Sequence, residues 1–127
     1  MIEYIGLPYD IRNKAGVNCW GLVAKVYHDK LSDDLPDFPS PSKSMRDIAA
    51  TFTAAFANGE HGFTIVDKPR DYDVVIFKRR VGKCFYFHCG LWFEGKILHS
   101  ASRSGGVVYE AFSSVAHGFK DIEFWRR

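Results

Sequence analysis

The sequence predicts an α+β domain in which N-terminal helices pack on a mainly antiparallel sheet of five to six strands. Helical periodicity and proline-rich breaks occupy the first half of the chain, and short β-branched and aromatic segments occupy the half after Gly62. There is no internal repeat and no low-complexity segment. Helices first and strands afterwards are typical of the α+β class. The length of 127 residues fits a single domain over residues 1–127.

The N-terminal half contains two predicted helices. Residues 1–17 form an irregular arm with a turn signal at GLPYD. A helix is expected from about Asn18 to Leu31, because the Asn18 side chain can accept a hydrogen bond from an unpaired N–H of the first turn. Prolines between residues 36 and 41 interrupt regular structure. A second helix is expected from a cap at Ser44 to about Ala57.

The C-terminal half contains the predicted strands. Each is short, rich in β-branched and aromatic residues, and bounded by Gly, Pro or polar residues. Five of them are FTIV, DVVIFKRR, KCFYFHCGLWF, KILHSAS and GVVYEAF, and the sixth, FKDIEFWRR, ends the sequence given.

Composition excludes several classes of function. The chain carries 17 basic and 15 acidic residues, a net charge of +2, which is too balanced to indicate nucleic acid as a partner. No segment has the apolar length of a membrane span or the pattern of a signal peptide, so synthesis in the cytoplasm is expected. Three cysteines, an odd number, favour free thiols over a complete disulfide framework.

Two histidines are predicted to meet on one hairpin. Glu94-Gly95 is a plausible two-residue turn, and counting back from it pairs Gly90 with His99. Because side chains alternate along a strand, His88 and Gly90 share a face, and His99 lies diagonal to His88 on that face. The same count turns Cys89 toward the core.

Cys19 is the candidate nucleophile. Unpaired N–H groups and the helix dipole at the start of a helix favour a thiolate and lower the pKa of a cysteine there. Those N–H groups can also stabilise an oxyanion, and Gly21 would leave room for a substrate. His88 can act as general base and acid, and His99 can orient it.

Two segments resemble the signature blocks of the NlpC-type peptidoglycan cysteine peptidases. Residues 18–23 (NCWGLV) are similar to the nucleophile block Asp-Cys-Ser-Gly-Leu-Val of this family. Residues 88–92 (HCGLW) and 99–101 (HSA) are similar to its second block, a His-Val-Gly-Ile-Tyr run followed by another His before small residues. Residues 69–77 resemble the strand that the family opens with Pro-Gly-Asp, and Tyr9 resembles a tyrosine near its oxyanion site.

The resemblance implies a papain-like fold and a catalytic set of Cys19, His88 and His99. It implies hydrolysis of an amide bond in a peptidoglycan stem peptide, with Tyr9, Trp20 and Gly21 near the oxyanion or substrate. It implies no cofactor and no metal. The Cys-Trp-Gly block and the DLPDF segment resemble the phage-tail branch of the family, which implies a tail component acting in the bacterial envelope, with other tail proteins as candidate partners.

The residues leave other interpretations open. The chain is alternatively a tail assembly or tip component with an inactive site, or a thioester-based amidase or acyltransferase acting on a substrate outside the wall. Trp20 and Trp92 are as well suited to the core as to a substrate groove. A zinc site built from Cys84, His88, Cys89 and His99 is disfavoured, because neighbours on a strand point to opposite faces.

Overall fold

The structure is a computed structural model that describes residues 2–36, 51 and 54–127, apart from the side chains of residues 60, 84 and 85. In this part of the chain, one long helix precedes six strands, and a short helix lies before the last strand. The elements in order are α1 (Cys19–Leu31), β1 (Thr64–Val66), β2 (Val74–Val81), β3 (Cys84–Phe93), β4 (Lys96–Ala101), β5 (Gly106–Ala111), α2 (Phe112–Ala116) and β6 (Asp121–Arg126).

The six strands form one antiparallel sheet in the order β1-β6-β2-β3-β4-β5. Strands β2 to β5 follow the chain as a meander, and the chain then returns to place β6 between β1 and β2. The predicted α+β class and the six-stranded antiparallel sheet are therefore confirmed.

Helix α1 begins where the sequence predicts. The Asn18 side chain accepts a hydrogen bond from the backbone N–H of Gly21 at 2.7 Å, and Ser32 ends the helix in the left-handed region. The face that packs on the sheet is fully buried and consists of Cys19, Trp20, Leu22, Val23, Val26 and Tyr27. The polar last turn remains exposed, which is typical of a helix that covers a sheet with one side.

The ends of two other helices bear on the predictions. Residues 54–57 are helical and are followed by a turn, which agrees with a predicted helix end near Ala57. The predicted start at Ser44 lies outside the described residues. Helix α2 was not predicted: the segment GVVYEAF was expected to remain a strand as far as Phe112, but the strand ends at Ala111 and a five-residue helix follows.

Apolar clusters cover both faces of the sheet. On one face, α1 packs on inward side chains of the central strands, including Ile76, Leu91 and Leu98. On the other face, Val115 of α2 packs with Phe77 and other side chains that alternate with the first set. Both faces of the central strands are therefore covered by apolar side chains, which explains why the first four residues of β2 are all buried.

None of the helices in the described residues has the length and apolarity needed to cross a bilayer.

Candidate functional site

The candidate site lies where the ladder between β3 and β4 ends. That ladder pairs Phe93 with Lys96 and continues only to Leu91 with Leu98, in the register predicted from the Glu94-Gly95 turn. At Gly90, a Cβ atom would come within 3.0 Å of the His99 Cβ. Glycine therefore allows the close approach of His99 that the sequence predicts.

His88 and His99 contact each other beyond the end of this ladder. The His88 Nε2 and His99 Nδ1 atoms are 2.8 Å apart, and both side chains are buried. The two rings meet edge to face with their centroids 5.0 Å apart. This geometry is a single hydrogen bond between imidazoles, with one nitrogen of each ring left for another partner.

The chain segment before α1 is fastened to the same region. The Ser100 hydroxyl of β4 donates to the carbonyl of Val17 at 2.7 Å, and Val17 N–H donates to the carbonyl of Pro8. The first residue of α1, Cys19, is thereby held over β3 and β4. Sequence and structure agree that Cys19 occupies the first helical position, next to the Asn18 cap.

Two side chains, those of Cys89 and His88, act on the Cys19 sulfur. Hydrogen bonding from the Cys89 thiol, followed by the hydrogen bond and positive charge of His88, holds the pKa of the Cys19 thiol well below its usual range, although burial opposes this. Burial and the adjacent Cys19 charge raise the pKa of Cys89. Cys89 therefore remains a thiol that donates, and Cys19 is the sulfur that ionises. His88 acts on Cys19 although His88 and Cys89, as neighbours on β3, point to opposite faces of the strand.

The charge on Cys19 also affects the pKa of two tyrosines. Burial, followed by the Cys19 charge, raises the pKa of Tyr9 to about 12, and the same two causes raise the pKa of Tyr86. Both phenols therefore keep their protons at neutral pH and remain potential hydrogen-bond donors. The Cys19 residue itself is 0% exposed, so the site is closed in this conformation.

The Glu110 carboxylate extends the series of hydrogen-bonded side chains that begins with His88 and His99. The His99 Nε2 atom lies 2.8 Å from Oε2 of Glu110 on β5. Burial and the neighbouring His88 charge lower the pKa of His99, and the Glu110 carboxylate opposes them. Four side chains from α1, β3, β4 and β5 thus follow one another: Cys19, His88, His99 and Glu110.

The structure gives Gly21 and Trp20 roles inside the protein. A Cβ at Gly21 would lie 2.0 Å from Oδ1 of Asn13, the atom that accepts the backbone N–H of Asn18. The room at Gly21 is therefore filled by Asn13 and not left for a substrate. Trp20 is 3% exposed and packs against Phe56 and Phe63, so it occupies the core, one of the two roles that the sequence left open.

Sequence reasoning missed Glu110, Tyr86 and the contact between Cys89 and Cys19. Alternation along β3 placed Cys89 correctly in the core but gave no sign that α1 would bring Cys19 onto it. The sequence does not show where β4 ends and β5 begins between His99 and Glu110. The contact between these two side chains could therefore not be predicted without the β4–β5 register. In the structure, His99 pairs with Val108, and Glu110 lies two residues further along the same face.

Within the part of the chain that the structure describes, no group of three or more His, Cys, Asp or Glu side chains is arranged to hold a metal ion. The side chain of Cys84, one member of the disfavoured zinc set, lies outside that part.

Comparison with known proteins adds no assignment to this geometry: no protein-family model matches the chain, and no curated protein is significantly similar to it.

Proposed function

We propose that this protein is a papain-like cysteine peptidase of the NlpC type that hydrolyses an amide bond in peptidoglycan stem peptides. The observation that carries the proposal is the ionisable Cys19 at the start of α1, in contact with His88, which is in turn held by His99 at 2.8 Å. A nucleophile, a base and an orienting group from three separate elements are the combination that thiol-dependent acyl transfer requires.

The proposed reaction begins with a thiolate and an imidazolium. Cys19 Sγ attacks the carbonyl carbon of the scissile amide, and the carbonyl oxygen becomes an oxyanion. The backbone N–H of Cys19, at the positive end of α1, is a suitable donor to that oxyanion, and the protonated Tyr9 hydroxyl is a second candidate. His88 then gives a proton to the leaving amine, the C–N bond breaks, and a thioester remains on Cys19.

Water completes the cycle. His88, now neutral, takes a proton from a water molecule that attacks the thioester carbonyl. The C–S bond breaks, the carboxylic acid product leaves, and the thiolate–imidazolium pair is restored. An amine in place of water would give transfer instead of hydrolysis by the same steps.

The closed site defines one requirement of this proposal. Because Cys19 is fully buried, a substrate must displace a side chain that covers the sulfur. Tyr9 and Tyr86 are half-buried and lie close enough to sense the Cys19 charge, so they are the groups expected to move. A phage-tail origin would place such a peptidase at the cell envelope, with a stem peptide as substrate and tail proteins as partners.

Digestion of purified peptidoglycan tests the proposal. The wild-type protein is expected to release new peptide termini detectable by mass spectrometry, and Cys19→Ala is expected to release none while keeping its fold. His117→Ala, which changes an exposed histidine, is the matched control and should cleave like the wild type. Equal cleavage by Cys19→Ala and wild type would contradict the proposal.

The complete burial of Cys19 also favours a second candidate, a structural component of a phage tail in which the site is inactive. Under this alternative, the wild type would cleave no type of peptidoglycan, and tails would fail to assemble without the protein. Cys19→Ala would then support assembly as well as the wild type does.

A further inference from the structure

The position of Glu110 assigns protons to both histidines. A carboxylate can only accept a hydrogen bond, so the nitrogen of His99 that faces it, Nε2, must carry a proton. Burial and the adjacent His88 charge lower the pKa of His99, which favours the neutral ring. Neutral His99 with a proton on Nε2 has a lone pair on Nδ1.

That lone pair determines the state of His88. His88 Nε2 lies 2.8 Å from His99 Nδ1 and must therefore be the donor of this hydrogen bond. When His88 is neutral, its only proton is then on Nε2, and Nδ1 is unprotonated. Nδ1 is the nitrogen left for the Cys19 thiol, which contacts His88.

We propose that Glu110 is a positioning residue, which acts through His99 to keep the His88 Nδ1 atom free to take the proton of Cys19. The proposal rests on the assignment of Cys19 and His88 as nucleophile and base. The step is balanced: the proton leaves Cys19 Sγ and binds His88 Nδ1, and this leaves a thiolate and an imidazolium. Glu110 touches neither the sulfur nor the substrate.

The opposite proton arrangement explains why a carboxylate is needed. A donor in place of Glu110 would make His99 Nε2 the acceptor and move the proton of His99 to Nδ1. His99 would then donate to His88 Nε2, and the proton of neutral His88 would have to lie on Nδ1. In that state His88 cannot accept a proton from Cys19.

The charged and titratable groups that face Cys19 and His99 come from three parts of the chain: β3, β5 and the N-terminal arm. Cys89 and Tyr86 on β3 and Tyr9 on the N-terminal arm face Cys19. His88 and Glu110 face His99 from either side. The Glu110 side chain is 47% exposed, so substitution there should be tolerated by the fold.

Nitrogen-15 NMR of the imidazole rings reads the proton positions directly in the full-length protein. In the wild type, we expect His99 to be neutral with its proton on Nε2, and His88 to carry a proton on Nε2. In Glu110→Lys, we expect the proton of His99 to move to Nδ1. Glu110→Gln should keep the wild-type arrangement, because the amide oxygen can still accept from Nε2. His99→Gln assigns the His99 signals.

Activity and a matched control complete the test. Glu110→Lys should lower the rate of amide cleavage by more than about tenfold, because the wrong tautomer removes the base, whereas Glu110→Gln should lose less. Glu123→Gln is the matched control, because it changes a glutamate of β6 that pairs with Lys78 of β2 at 2.8 Å and contacts neither histidine. It should alter neither the tautomers nor the rate.

The outcomes separate this inference from the proposed function. A wild-type His99 with its proton on Nδ1, or tautomers that Glu110→Lys leaves unchanged, would overturn the role of Glu110. The predicted tautomers in a protein that cleaves no peptidoglycan would support the proton arrangement and contradict the peptidase assignment.

Discussion

His88 and His99 differ from the exposed histidines of the chain because each ring is buried and uses its nitrogens on specific partners. His28 pairs with Asp34 at the surface, and His117 is exposed. By contrast, His99 has His88 on one side and Glu110 on the other, both at 2.8 Å. A side chain held in this way can orient a neighbouring base without contacting a substrate.

Substitution of the two histidines should show that His99 acts only through His88. His88→Ala is expected to lower kcat/KM by about 10³-fold, the scale of a lost general base. His99→Ala should lose less than His88→Ala, and His99→Gln less again, because Gln retains a hydrogen-bonding group. Steady-state kinetics on a purified stem-peptide substrate measures all three.

The double variant gives the control for this prediction. His88→Ala/His99→Ala should be little worse than His88→Ala alone, since an orienting group has no function once the base is gone. Additive losses would mean that His99 has an independent role and that the row of side chains is misinterpreted.

The sequence predicted the placement of Cys19 at a helix start and of His88 and His99 on one hairpin, because each placement depends on short-range geometry. A cap residue and a helix period placed Cys19, and a two-residue turn set the register of the histidines. Glu110 and Cys89 depend on contacts between elements that are distant in sequence. No local pattern encodes which strand α1 covers, so their contacts became visible only in the folded chain.

At the scale of the helix, the start of α1 depends on a close contact between Gly21 and Asn13. An alanine at position 21 would gain about 1 kcal/mol of helix propensity. Its Cβ would also overlap Asn13 Oδ1 at 2.0 Å and displace the hydrogen bond that Asn13 accepts from Asn18. Overpacking typically costs about 1–3 kcal/mol and a lost hydrogen bond about 1 kcal/mol more.

We therefore expect Gly21→Ala to lower the free energy of unfolding by about 1–3 kcal/mol in urea denaturation. The control is Asn13→Gly, which removes the clashing atom at a residue with a φ of 54° that glycine adopts readily. In the Asn13→Gly background, Gly21→Ala should be neutral or stabilising. An equal loss in both backgrounds would show that the contact is not the cause.

At the scale of the element, the turn and register of the β3–β4 hairpin were predicted from the sequence, but the point where its pairing ends was not. The Glu94-Gly95 turn and the register after it are confirmed by the pairing of Phe93 with Lys96. The end of the ladder after Leu91 and Leu98 was not predicted, and beyond it the Ser100 hydroxyl of β4 donates to the carbonyl of Val17 in the segment before α1. The site lies at this unpredicted end.

At the scale of the whole molecule, an aromatic cluster joins the helical half to the sheet. Phe63 is 1% exposed, stacks on Phe56 with the ring centroids 4.1 Å apart, and also contacts Trp20 and Tyr27 of α1. Phe56 in turn contacts Trp125 of β6. The cluster therefore holds α1 in place over the strands that carry the histidines.

Phe63→Ala should lower the free energy of unfolding by about 3–5 kcal/mol, the cost of deleting a large buried aromatic side chain. Ile65→Ala is the matched control on the adjoining strand β1, because Ile65 is 57% exposed and its loss should change stability by less than about 0.5 kcal/mol. Urea denaturation of both variants measures the difference. Similar losses for both would contradict the assignment of Phe63 to the core.

The order of helices and strands was enough to predict the class of the fold and its six strands. Each strand is a short apolar segment between turn residues, so its local pattern and its packing agree. Helix α2 was missed because five residues, Phe112–Ala116, are too few to show a helical period, and Phe112 reads as the last residue of the apolar segment that forms β5. Strand order was also beyond prediction, since β6 pairs with β1 and β2 across more than 40 residues of chain.

The central claim is that Cys19 is an activated thiolate paired with His88. The most direct test is the pH dependence of alkylation by limiting iodoacetamide, followed for each cysteine by mass spectrometry in the wild type and in His88→Ala. Because the pKa of Cys19 is held well below its usual range, Cys19 should be labelled first, once the covering side chain moves as it must for a substrate, and should keep reacting below neutral pH. In His88→Ala, its midpoint should move upward toward that of an ordinary thiol. Faster labelling of Cys84 or Cys89 in the folded protein, or a profile that His88→Ala leaves unchanged, would contradict the account.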